Sequence, residues 1–118
     1  MISLERARTI AERWVRDWNC HDLDAIASHY ADDLEFTSPL VIERLGRADG
    51  TIRSKAELKS YFAVGLTLGS NLKFELIDVF PGVSSVALLY RNHRGRTVCE
   101  TMSLRADGTA EKVVVHYR

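Results

Sequence analysis

The sequence has few cysteines and prolines, no net charge and no long hydrophobic run. Its two cysteines, Cys20 and Cys99, match no metal-ligand spacing and form no disulfide framework, so they predict reduced thiols in a cytoplasmic protein. No run approaches the roughly 18 apolar residues that a membrane-spanning helix needs. The opening MISLERARTI also lacks the apolar stretch of a secretory signal.

The charges are balanced, with 16 lysines and arginines against 16 aspartates and glutamates. A neutral domain has no general attraction for nucleic-acid phosphates or acidic membranes, so neither is an expected partner. What the chain does have is an ordinary globular composition, 46% hydrophobic and 27% charged, over 118 residues. This length predicts one domain, residues 1–118, with a core of its own.

Helical periodicity occurs in three segments. Apolar residues recur every three or four positions over 2–18, which predicts a first helix. Asp22 predicts the cap of a second helix with Tyr30 on its buried side, and the acids at 32–33 predict its end. The sequence SKAE at 54–57 is a capping box and predicts the start of a third helix.

The other segments predict strands and turns. Residues 34–38 alternate as a strand up to Pro39, which lacks the N–H for the next ladder bond. Residues 40–53 carry two glycines and scattered charge, and predict a loop or irregular hairpin. Strand-forming runs separated by turn sequences follow at 72–80, 85–92, 96–105 and 109–117. Segregated helices and a four-strand meander predict the α+β class.

Four stretches of the sequence are similar to those of a known protein family: RWVRDWNCHDLDAIASHYADDLEFTSP, SKAELKSYF, LLYRNHRGRTV and LRADGTAEKVVVHY. Through these stretches, nearly the whole chain resembles the SnoaL-like branch of the nuclear transport factor 2-like superfamily. The resemblance implies a curved antiparallel sheet wrapped around three helices, as a cone that opens into a ligand pocket. Members include isomerases, cyclases, hydrolases and binding proteins without chemistry, so the resemblance implies a fold and no single activity.

The ketosteroid isomerase pattern of that superfamily is not met. Its general base falls on Ser38, its oxyanion-hole tyrosine on Trp14 and its protonated aspartate on Met102. Neither serine nor methionine can serve as a carboxyl base or acid near pH 7. This isomerisation is therefore excluded.

The same comparison and the period of two predict which side chains face the pocket. On 96–105 the inward set is Val98, Glu100, Met102 and Leu104, and on 109–117 it is Lys112, Val114 and His116. These inward-facing residues predict a mostly aromatic chamber, which is usual for a ligand site. The predicted ligand-binding residues are Trp14, Trp18, Tyr30, Phe36, Ser38, Phe62, Tyr90 and Met102.

Glu100 and His116 are the candidate catalytic pair. Counted from the turn at 107–108, Val98 lies opposite His116, and Glu100 is its diagonal neighbour at roughly 7 Å. A carboxylate beside an imidazole can form an acid–base pair. The two groups can also satisfy each other without chemistry, and a slip of one residue would turn both outward.

The remaining acids and histidines predict no metal site. Asp22 and Asp24 fit a helix cap and first turn better than a pair of ligands. No ligand spacing links His21, His29 and His93. No metal and no cofactor is therefore expected.

Two functions remain open. One is a small enzyme that acts without cofactor, by acid–base chemistry on an apolar, cyclic or polyketide-like molecule. The other is a non-catalytic ligand-binding or accessory domain, which a position of Glu100 or His116 on the outer face of the sheet would favour. The outer face also predicts a homodimer, because its expected residues are small or apolar: Thr97, Cys99, Thr101, Ser103, Val113, Val115 and Tyr117.

Overall fold

A computed structural model of the chain describes residues 1–118. The helices are α1 (Leu4–Asn19), α2 (Leu23–Ala27), α3 (Pro39–Leu45) and α4 (Lys55–Leu68). The strands are β1 (Tyr30–Thr37), β2 (Thr51–Ile52), β3 (Glu75–Pro81), β4 (Ser85–Arg91), β5 (Thr97–Leu104) and β6 (Ala110–Tyr117). The α+β class predicted from the sequence is confirmed, and no helix has both the length and the apolarity needed to cross a bilayer.

The six strands form one open sheet in the order β2-β1-β6-β5-β4-β3. Strands β3 to β6 form the predicted antiparallel meander. Strand β1 lies parallel to β6, so the sheet is mixed and differs at this one pair from the antiparallel sheet that the resemblance implies. The long chain segment between the two strands supplies the crossover that a parallel pair requires.

The three predicted helices are present, and a fourth lies where a loop was expected. Pro39 begins α3, because proline is well accommodated in the first turn of a helix, and the Ser38 hydroxyl accepts the Leu40 N–H at 3.3 Å. Gly46 ends α3 with a left-handed φ of 66°. Tyr30 does not belong to α2, which ends at Ala27; it begins β1.

A β-bulge at Glu111 decides which face of β6 is buried. Glu111 is an extra residue relative to β5, so every later residue of β6 lies one position further along than the count from the turn predicts. Tyr117, and not His116, therefore lies opposite Val98.

The bulge reverses the predicted faces of β6. Val113 and Val115 are buried and Tyr117 is half-buried on the inner side, whereas Lys112 and His116 are exposed. The predictions that Lys112, Val114 and His116 point inward, and that Val113, Val115 and Tyr117 point outward, are wrong. Strand β5 has the predicted orientation, with Val98, Glu100 and Met102 all buried.

Candidate functional site

A cavity of about 150 Å³ lies between the inner face of the sheet and the helices. An apolar cavity of about this volume is known to admit benzene, so the enclosed part is large enough for a single ring. Centroids of neighbouring aromatic rings are 4.6 to 6.1 Å apart. The aromatic side chains of the wall are Trp14, Trp18, Phe36, Tyr61, Phe62, Phe74, Tyr90 and Tyr117.

Six of the eight predicted ligand-binding residues line this cavity: Trp14, Trp18, Phe36, Ser38, Phe62 and Tyr90. Tyr30 and Met102 do not, although they are only 1% and 2% exposed. Tyr30 contacts the wall from behind, since its hydroxyl accepts a hydrogen bond from the Trp14 indole at 3.0 Å. The two residues thus belong to the core that supports the wall.

Glu100 brings a carboxyl group to the cavity wall, where it is only 3% exposed. Burial raises the pKa of Glu100 to about 8, because removal from water disfavours the charged form. The Tyr90 hydroxyl, 3.5 Å from Oε2, lowers this pKa only in part, since the contact is at the outer limit of a hydrogen bond. At neutral pH the carboxyl group is therefore largely protonated.

Three tyrosine hydroxyls lie close enough to Glu100 to respond to its charge. Burial, and then the charge of Glu100, raise the pKa of Tyr117 to about 12. The same two causes raise the pKa of Tyr90 and of Tyr30. These phenols remain protonated donors at any physiological pH, so the Glu100 region can bind an oxygen atom of a ligand.

The predicted pair of Glu100 and His116 does not form. His116 is exposed on the outer face, where its Nδ1 lies 3.3 Å from the Cys99 carbonyl oxygen, while Glu100 faces the cavity. The bulge at Glu111 causes this separation, because it moves His116 to the opposite phase of β6. No proton can pass directly between two groups on opposite faces of the sheet.

The C-terminal end of α1 fixes a part of the wall that the sequence does not reveal. The Asn19 side chain donates to the Phe74 carbonyl oxygen at 2.9 Å and accepts the Phe74 N–H at 2.7 Å. The His21 ring bonds to the Leu72 carbonyl oxygen at 2.8 Å. Phe74 then stacks on Trp14 with a centroid distance of 5.5 Å. Helix α1 thereby sets the position of the chain just before β3.

The mouth of the cavity is basic, which the sequence also does not predict. Arg44 of α3 and Arg94 and Arg96 of the turn between β4 and β5 line it, together with His93. Burial, and then the charge of Arg94, lower the pKa of His93. The signal available in the sequence is the NHRGR turn, which joins the strands that carry Tyr90 and Glu100.

His29 and the short acids at 22 and 24 have structural partners. His29 bonds to Asp17 at 2.7 Å, Asp22 caps α2, and the carboxylate of Asp24 lies 2.6 Å from Lys59 Nζ. No three His, Cys, Asp or Glu side chains lie together in a way that could hold a metal ion.

Comparison with known proteins gives the same fold over the whole chain. A family model described as "SnoaL-like domain" matches residues 11–118, and no curated protein matches. The solved structure of a SnoaL-like protein of unknown function from Burkholderia thailandensis is 37% identical, with a TM-score of 0.96 over 99% of this chain and 98% of that one.

Two more distant structures share the fold. TerC, co-crystallised with polyporic acid, is 17% identical, with a TM-score of 0.76 over 95% of this chain and 91% of that one. SalBIII, an epoxide hydrolase/cyclase-like enzyme with a role in pyran ring formation in salinomycin, is 16% identical, with a TM-score of 0.72 over 97% and 92%. The family model and the 37% identical relative establish that the chain belongs to the SnoaL-like family.

Proposed function

We propose that the chain binds a small, apolar, cyclic molecule in the cavity and orients it through one oxygen atom. The observation that carries this proposal is the buried Glu100 carboxyl, beside the Tyr90 hydroxyl, on an otherwise aromatic wall. A largely apolar pocket with a few convergent polar groups is the usual design of a small-molecule site. Strongly shifted pKa values also cluster at such sites.

Glu100 and Tyr90 can both donate a hydrogen bond to one ligand oxygen. A protonated carboxyl group and a phenol each carry one O–H donor. A carbonyl or hydroxyl oxygen attached to the ligand ring would accept from them. The role of SalBIII in pyran ring formation supports a cyclic ligand through likeness of fold alone.

The binding proposal predicts that acetophenone, one ring with a carbonyl group, binds more tightly than ethylbenzene, which lacks the oxygen. Both tryptophans of the chain, Trp14 and Trp18, line the cavity, so their fluorescence reports its occupancy. Tyr90→Phe should weaken acetophenone binding about fivefold, as expected for one hydrogen bond of roughly 1 kcal/mol. Ethylbenzene, the matched control ligand, should bind equally to both proteins. Equal affinity of the two compounds for the wild-type protein would contradict the proposal.

A second candidate function is proton transfer by Glu100. The pKa of about 8 favours this function, because an acid–base catalyst works best when its pKa lies near the ambient pH. The Glu100 carboxylate would take a proton from the carbon beside a ligand carbonyl. The electron pair of the broken C–H bond would move onto the carbonyl oxygen, to which Tyr90 donates a hydrogen bond.

Exchange of the acetophenone methyl protons in D₂O, followed by NMR, tests this step. The wild-type protein should catalyse the exchange with a rate that rises through about pH 8, and Glu100→Gln should abolish the catalysis. A wild-type rate equal to that of buffer would leave ligand binding as the function.

The outer face of the sheet supports a homodimer as a further part of the proposal. Cys99, Thr101 and Val114 are half-buried there, a surface of small and apolar side chains that suits self-association. Light scattering at micromolar concentration should show a dimer, and Thr101→Arg should shift it to a monomer; a wild-type monomer would contradict this.

The two cysteines are free, which supports the predicted cytoplasmic location.

A further inference from the structure

The arginines at the mouth of the cavity form no ion pair with a side-chain carboxylate, although Arg96 Nε donates to the main-chain oxygen of Arg118 at 3.4 Å. The ion pairs of the chain engage other arginines, at positions 16, 47, 53 and 105. Among the residues that line the cavity, the only acid is Glu100, whose carboxyl group is buried. The mouth therefore carries the positive charge of Arg44, Arg94 and Arg96 with no side-chain carboxylate paired to them, in a chain whose net charge is zero.

Two of these guanidinium groups lie over aromatic rings of the wall. Arg44 is 5.5 Å from the centroid of Tyr61, and Arg96 is 4.9 Å from that of Tyr117. Such contacts orient a guanidinium group without cancelling its charge, and each contributes about 0.5–1 kcal/mol at an exposed site. The planar groups are thus held at the rim of the cavity, and Arg96 can still use its Nη donors, because only its Nε is bonded, to the Arg118 oxygen.

Gly65 of α4 leaves room for one of them. A Cβ at this position would lie 3.3 Å from Arg44 Nη1, closer than an ordinary contact. Glycine inside a helix costs about 1 kcal/mol relative to alanine. Its presence here is consistent with the need to let Arg44 reach across the mouth from α3 to α4.

We propose that the ligand carries an oxyanion group, which binds to Arg44, Arg94 and Arg96 at the mouth while its apolar ring fills the cavity. This inference rests on the proposed binding function and adds the ligand's charge to it. Guanidinium groups suit oxyanions because their N–H donors match two oxygens at once. The oxyanion of the ligand contacts the arginines at the mouth, and its ring fills the cavity. A neutral oxygen at the far side of the ring contacts Glu100 and Tyr90.

Calorimetric titration with 4-acetylbenzoate and its neutral counterpart 4-acetylbenzamide tests the inference. The benzoate should bind at least tenfold more tightly in 20 mM salt, and the difference should shrink in 300 mM salt, because the arginines are exposed to screening. 4-Acetylphenyl phosphate, titrated in parallel, shows whether carboxylate or phosphate is the better oxyanion.

The triple variant Arg44→Gln, Arg94→Gln, Arg96→Gln should bind both compounds with the affinity that the wild-type protein has for the amide. The control is Arg91→Gln, which removes one positive charge from an exposed position of β4 outside the cavity lining and should keep the preference for the benzoate. If 4-acetylbenzamide bound the wild-type protein as tightly as 4-acetylbenzoate and 4-acetylphenyl phosphate, this inference would be overturned and the binding function would remain. Absence of binding by all three compounds would overturn both.

Discussion

Glu100→Gln should stabilise the folded protein at pH 8 and leave its stability nearly unchanged at pH 5. The ordinary pKa of a glutamate, 4.5, applies to the unfolded chain, whereas burial raises the pKa of Glu100 to about 8 in the fold. Between these pH values the folded protein holds a proton that the unfolded chain has released. The free energy of unfolding of the wild-type protein therefore falls as the pH rises.

The size of this fall follows from the pKa difference. Each pKa unit corresponds to about 1.4 kcal/mol, so the carboxyl group lowers the free energy of unfolding by up to about 5 kcal/mol between pH 4.5 and pH 8. Glutamine has a similar shape, keeps an oxygen that can accept from the Tyr90 hydroxyl, and does not titrate. The wild-type curve of stability against pH should slope downward over this interval, and the curve of the variant should be flatter.

Urea denaturation at pH 5, 6, 7 and 8 measures this difference. Glu35→Gln is the matched control, because it removes a carboxyl group that lies exposed on β1. It should leave the slope of the wild-type protein unchanged. A constant difference between Glu100→Gln and the wild-type protein at all four pH values would show that Glu100 is ionised in the folded state.

The sequence predicts the helices well because their signals are local. Ser3, Asp22 and Ser54 each cap the helix that was expected to follow, with their side chains accepting an N–H of the first turn. The signal for α3 is weaker, because the chain around it is rich in glycine and charge and because Pro39 is also typical of the end of a strand. Proline both ends a strand and begins a helix.

The faces of β6 differ from the prediction because a register counted from the turn does not include the bulge at Glu111. A bulge adds one residue without a sequence marker, and one residue is enough to exchange the faces of a strand. The composition of β6 contains the corrective signal, since the true inner set Val113, Val115 and Tyr117 is far more apolar than the predicted one. Glu100 was placed correctly because β5 is regular around it.

The mouth of the cavity could not be predicted because it is built from distant segments. Arg44 and the NHRGR turn come together only once β1 lies parallel to β6, a pairing that no local pattern indicates. The two hydrogen bonds between Asn19 and Phe74 join residues 55 positions apart and are equally invisible to periodicity. Local signals therefore predict the wall of the site, and long-range contacts determine its rim and its depth.

Trp14→Ala should be the most destabilising substitution in the wall. Trp14 is 1% exposed, stacks on Phe74 and packs against Tyr90 with a centroid distance of 5.2 Å. Removal of a buried tryptophan costs about 3–5 kcal/mol, a large share of the roughly 5–15 kcal/mol that stabilises a domain. Urea denaturation should therefore show a midpoint far below that of the wild-type protein.

A milder pair of substitutions separates the hydrogen bond of Trp14 from its volume. Trp14→Phe removes the donor to the Tyr30 hydroxyl, whereas Trp18→Phe is the matched control, because the Trp18 N–H is buried without a hydrogen-bond partner. Trp14→Phe should destabilise the fold by about 1 kcal/mol more than the control. In a double-mutant cycle, Tyr30→Phe should couple to Trp14→Phe by about the same amount. Additive effects of these two substitutions would show that Trp14 stabilises the wall by packing alone.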